Sequence, residues 1–194
     1  RWLTAALAPL QHNSLGTLIA AELQLVLRPR KMIWWLGMAA FMGVQCFTPM
    51  NWVALGVLGV WVLSMDTFSR SVLRERESGT AAFVFTAPGA TGRVLMARWL
   101  MVLSFAILPT LPALLRFAVT RPSMALAILA AGASIATWGL ALGATTRNAR
   151  SFELVLCVLA YASAQGAAFL NVSIAPFSTA LGHLALLPVA GWLL

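Results

Sequence analysis

The chain has 194 residues, 61% of them hydrophobic and 9% charged, with a mean hydropathy of +0.88. Soluble domains carry about 25% charged residues, so a soluble globular fold is excluded; at about 20 apolar residues per bilayer crossing there is room for about six membrane helices and no extramembrane domain. The formal charge of +8 would suggest nucleic acid as a partner of a soluble protein, but membrane topology accounts for it here and no nucleic-acid partner is expected.

The fold class read from these runs is all-α, a polytopic membrane protein with about six transmembrane helices preceded by an interfacial amphipathic helix. Residues 1–13 read as the end of a preceding segment or connection, and residues 14–194 as the membrane domain. Over residues 14–28, Leu15, Leu18, Ile19, Leu25 and Val26 recur at helical spacing while Glu22, Gln24 and Arg28 are polar, the pattern of a helix lying in the interface. Pro29 stops it. The first crossing is expected from Met32 to Phe47, with Trp34 and Trp35 in the aromatic belt, and the second from Trp52 to Phe68. The third runs from Val94 to Leu115 and contains Pro109 and Pro112. The fourth spans Ser123–Ala144, the fifth Phe152–Leu170 and the sixth Phe177–Leu194. The chain starts at Arg1 and its last run ends on Leu194 without a basic flank, so a piece of a longer chain is expected.

Alternate connections differ in basic residues. Arg28, Arg30, Lys31, Arg70, Arg74, Arg76, Arg93, Arg98, Arg147 and Arg150 fall on one side, Arg116 and Arg121 on the other. The positive-inside rule puts the first side, with the amino end, in the cytoplasm. The expected location is a bacterial cytoplasmic membrane.

The stretch from Ser69 to Leu100 concentrates the charge. Arg74-Glu75-Arg76-Glu77 extends the second helix, Gly79 breaks it, and Ala81–Thr86 is an apolar run too short to cross a bilayer. Cys46 and Cys157 lie in separate apolar runs, which supports neither a disulfide nor a metal site. Asp66, costly at the inner end of the second crossing, reads as paired with Arg70 one turn on, or as lining a path. Glu153 reads as the partner of Arg150, and Gly139 and Gly143 as a close-approach motif.

The order Arg76-Glu77-Ser78-Gly79-Thr80, Thr86-Ala87-Pro88, Arg93 and Ala97-Arg98-Trp99-Leu100 resembles the connection between the second and third helices of type-2 ABC-transporter permeases. TLIAAELQLVLRPRK at residues 17–31 is similar to the connecting helix of that family, and Leu142-Gly143-Ala144 with Ser151-Phe152-Glu153 to its fourth-to-fifth junction. Lys31 is the sole lysine, so Arg98 stands where the family has lysine. The resemblance implies the permease component of an ATP-driven exporter. It implies that the cytoplasmic segment 69–93 holds a coupling helix, with Glu75, Glu77, Gly79, Thr80, Ala81, Phe83, Phe85, Pro88 and Arg93 meeting an ATPase. It implies two cytoplasmic ABC ATPase subunits and a second permease unit as partners, in a homodimer, a heterodimer or one longer chain, with membrane lipid around them. No GxxxxGK[ST] phosphate loop occurs in the sequence, so ATP and Mg are expected in the partner ATPase; for this chain the reading is no enzyme, no catalytic residue, no bound cofactor and no metal.

Two other readings stand beside this one. Gly132-Ala133-Ser134 and Gly182-His183 are similar to the nucleophile and base of rhomboid intramembrane serine proteases, although Ile135 replaces the glycine expected after the serine. An ATP-independent carrier or scaffold would need paired buried ionisable groups, of which Asp66 is the candidate.

Overall fold

A computed structural model describes residues 7–80 and 89–194, apart from the side chains of Asn51 and Ala90. Within these residues the chain is helical, with no strand. After a 3-10 turn at Ala8–His12 come α1 (Ser14–Leu27), α2 (Met32–Phe47), α3 (Met50–Leu63), α4 (Met65–Glu77) and α5 (Ala90–Ile107). A 3-10 turn at Leu108–Thr110 joins α5 to α6 (Leu111–Thr120), and α7 (Pro122–Thr146), α8 (Ala149–Ala164) and α9 (Pro176–Trp192) complete the order.

Three helical stretches are long and apolar enough to cross a membrane: Trp52–Glu77, Thr91–Thr120 and Pro122–Thr146. They mark the chain as a membrane protein. α2 and α8 have 16 residues each and α9 has 17, or about 24–26 Å of helix against a hydrocarbon core of about 30 Å. Large apolar side chains such as Phe47, Leu115, Val119 and Trp192 stand exposed, the inverse of a soluble surface.

Several boundaries differ from the sequence expectation. The second run is broken at Ser64, whose N–H reaches back to Val60 and Trp61, and resumes as α4 as far as Glu77. The fifth run stops at Ala164 rather than Leu170 because Gly166 takes φ +105, a conformation β-carbon side chains resist. Residues 165–175 then fold back onto the bundle. Leu170 and Val172 are buried, Asn171 donates to the Ser163 carbonyl, and Thr179 of α9 donates to the Ala168 carbonyl. α1 also departs from a simple interfacial helix: Glu22, read as polar-faced, is buried.

The bundle is centred on α7, which packs against α4, α5, α6, α8 and α9. Its sequence is rich in Ala and Gly, and the two glycines of the close-approach motif are where α4 crosses. A β-carbon on Gly139 would stand 2.5 Å from Phe68 Cβ, and one on Gly143 would stand 2.6 Å from the Ser69 carbonyl oxygen. With backbones this near, dispersion contacts replace the hydrophobic drive that lipid cannot supply. Indole N–H groups add directed links: Trp61 to the Ala106 carbonyl at 3.1 Å, Trp34 to Leu63 at 3.0 Å and Trp99 to the Thr137 hydroxyl at 3.0 Å.

Gly143→Ala must push α7 from α4 and is expected to cost about 1–3 kcal/mol, read as a lower melting temperature in detergent. Gly43→Ala, where an added β-carbon meets nothing within 4 Å, is the control and should be neutral or slightly stabilising.

Candidate functional site

Charge gathers at one end of the bundle, and four of the five acidic residues in the sequence take part in ion pairs there. The centre is Arg98 on α5, only 3% exposed. Its Nε donates to Glu22 Oε1 of α1 at 3.2 Å and its Nη2 to Glu75 Oε1 of α4. The other oxygen of Glu22 takes Arg74 Nη1 of α4 at 2.5 Å. A buried guanidinium demands such partners, since an unpaired ion in an apolar interior costs several kcal/mol. The result is a four-membered knot that ties α1, α4 and α5 together.

Two further pairs flank the knot. Arg30, just before α2, reaches Asp66 at 2.8 Å and the Thr67 hydroxyl at 2.6 Å, and lies 5.0 Å over the Trp34 ring. Arg70 faces Glu153 of α8 at 3.4 Å, a charge contact rather than an aligned hydrogen bond. The local pairs expected from the sequence are therefore replaced. Asp66 is held by Arg30 instead of Arg70, and Glu153 by Arg70 instead of Arg150, because the helix crossings bring distant charges closer than the neighbours along one helix.

Of the residues singled out for coupling, Glu75 turns inward to Arg98. Glu77, Gly79, Thr80 and Arg93 are exposed, and Glu77 has no ion pair among the described residues. α4 ends in a Schellman cap: the Gly79 N–H reaches Arg76 O at 3.2 Å and the Thr80 N–H reaches Glu75 O at 2.8 Å, with Gly79 at φ +70. Gly89, also left-handed at φ +72, caps the start of α5. Ala81, Phe83, Phe85 and Pro88 lie outside the described residues. The knot thus joins α4 and α5, the helices that flank residues 81–88 in the sequence.

Gln45 on α2 was not singled out by sequence reasoning. It is fully buried, and at the opposite end of α2 from Arg30 its Nε2 donates to Pro109 O at 3.2 Å while its Oε1 accepts from the Ala113 N–H at 3.4 Å. Those are the two groups a continuous helix would join to each other. The available signal was one amide inside an apolar run, together with two prolines in another. Arg116 secures the same corner through the Thr48 carbonyl at 2.7 Å.

Ser134 and His183 line one cavity of about 230 Å³ together with Trp138. They are not hydrogen-bonded to each other. His183 Nε2 is bonded to the Phe169 carbonyl at 2.8 Å and its Nδ1 has no partner among the described residues. No group of three or more His, Cys, Asp or Glu side chains capable of holding a metal occurs among the described residues. No protein-family model, curated protein or solved structure matches the chain.

Glu22→Gln leaves Arg98 and Arg74 short of a carboxylate and is expected to destabilise by about 3 kcal/mol or more. The measurement is thermal unfolding in detergent, with the exposed Glu77→Gln as a control expected to shift stability by less than about 0.5 kcal/mol.

Proposed function

We propose that the chain is the membrane-spanning permease component of an ATP-driven exporter, crossing the bilayer six times with its charged end in the cytoplasm. In this reading α2, α3 with α4, α5 with α6, α7, α8 and α9 are the six crossings, and α1 lies along the inner interface. The observation that carries the proposal is the buried knot between the two helices that flank residues 81–88 in the sequence. A docking element must be fixed firmly to the helices it moves, and the knot locks α4 and α5 to each other and to α1. The basic residues at the same end support the orientation.

ATP is bound by a partner, since this sequence has no phosphate-binding loop of its own. Closure of two ATPase subunits presses on residues 81–88, with Glu77, Thr80 and Arg93 as exposed polar contacts on either side. The Schellman cap stops α4 from unwinding under that load. Glu75–Arg98 carries the displacement into α5, Glu22 carries it to α1, and the glycine contacts pass it from α4 to α7. Rigid helices thereby open a path between two permease units in alternating access. The substrate is exported.

The test is purification of the full chain from its native membrane in mild detergent. An ATPase with a phosphate-binding loop is expected to co-purify, Glu77→Ala is expected to lower transport per ATP hydrolysed several-fold, and Phe83→Asp to release the ATPase. Unchanged ATPase binding and transport in both variants would overturn the reading. For orientation, a cysteine placed at Thr80 should react with a membrane-impermeant maleimide only from the cytoplasmic side, and one at Val119 only from the opposite side.

A further inference from the structure

The cavity bounded by α7, α8, α9 and the folded-back 165–175 connection is about 230 Å³ in volume, and its walls are almost wholly apolar, including Phe152, Leu156 and Leu186. Three of its residues carry polar side-chain atoms: Ser134, Trp138 and His183. Trp138 Nε1 and His183 Nδ1 are both buried, and neither has a hydrogen-bond partner among the described residues. Each is the sort of group that folded proteins seldom leave unpaired, because desolvating it without compensation costs about 1–3 kcal/mol.

Their chemistry is complementary. The indole nitrogen can only donate. His183, 2% exposed, has its Nε2 2.8 Å from the Phe169 carbonyl, and a carbonyl can only accept, so Nε2 carries the proton. In the neutral ring Nδ1 is then a bare acceptor. Two residues of the lining therefore carry one unpaired donor and one unpaired acceptor, and Ser134 brings a hydroxyl, in otherwise apolar surroundings. A hydroxyl group matches this chemistry, since it can accept from an indole N–H and donate to an imidazole nitrogen. Val155 and Phe169, which also line the cavity, are 46% and 42% exposed, so the way in passes over apolar side chains facing the surroundings of the bundle.

We infer that this cavity is a binding site for a small, uncharged, lipid-soluble molecule bearing a hydroxyl group, entering sideways from the bilayer. An apolar cavity of about 150 Å³ accommodates benzene, so this one suits a bicyclic body. The site lies among α7, α8 and α9, away from the ion-pair knot, and does not depend on coupling to ATP.

The test uses the full chain in lipid nanodiscs and radiolabelled 1-naphthol, with naphthalene and 1-methoxynaphthalene as comparisons and empty nanodiscs subtracted. Expected is saturable binding of one 1-naphthol per chain, at least tenfold tighter than naphthalene, with 1-methoxynaphthalene weaker than 1-naphthol because it has no proton for His183. Trp138→Phe and His183→Leu should each weaken 1-naphthol by about tenfold while leaving naphthalene within twofold, which also shows that the cavity survives. The inference is overturned if 1-naphthol shows no saturable excess, as for a cavity holding only ordered water, if naphthalene binds equally well, or if both variants retain the full affinity for 1-naphthol.

Discussion

A guanidinium buried among helices is the constraint from which the charged end is built. Arg98 has almost no access to water, so its charge must be met inside the protein, and two carboxylates from different helices meet it. Glu22 can serve only if α1 packs against α5. Glu75 can serve only if α4 emerges beside α5. Arg74 then balances the second oxygen of Glu22, and the positions of three helices follow from one ionic requirement. A pair of this kind adds little net stability over a well-packed apolar substitute, but it penalises every arrangement that separates its members. Its value lies in specifying one geometry.

The rest of the bundle is held by proximity rather than charge. α7 is apolar on nearly all sides, and lipid offers its apolar surface the same contacts as a neighbouring helix would. What distinguishes the native packing is how near the backbones come, and small residues set that distance. At Gly139 and Gly143 the fit has no space for a β-carbon. The ionic knot and the glycine contacts meet on α4, which is tied to α1 and α5 through Arg74 and Glu75 and rests on α7 through Phe68 and Ser69.

Much of this was legible in the sequence, for identifiable reasons. Apolar runs bounded by Pro, Gly and charge located the helices, so the first run matches α2 at both ends. Gly79 announced the end of α4 because a Schellman cap needs a left-handed residue, and the glycine pair on α7 marked a close approach. Pairing was not legible. Asp66 and Arg70 are neighbours on one helix, a sound local expectation, yet Arg30 reaches Asp66 from another element and Arg70 turns to Glu153. Such choices depend on crossing angles and separations that no local pattern records. The end of α8 was missed for a simpler reason: the apolar character of residues 167–170 continues past Gln165-Gly166, and periodicity cannot tell a buried fold-back from another turn of helix. The apolar run at 81–86 and its expected docking role lie outside the described residues.

The amide of Gln45 has a consequence for how the third apolar run can move. A helix interrupted by proline in an apolar setting ordinarily leaves backbone groups that must find partners or carry a penalty. Here a side chain from α2 supplies both halves of a backbone amide to Pro109 and Ala113, so two of the groups freed by the interruption are met from another helix. Moving α2 away would strip both of their partner at once, which ties the position of α2 to the shape of the third apolar run.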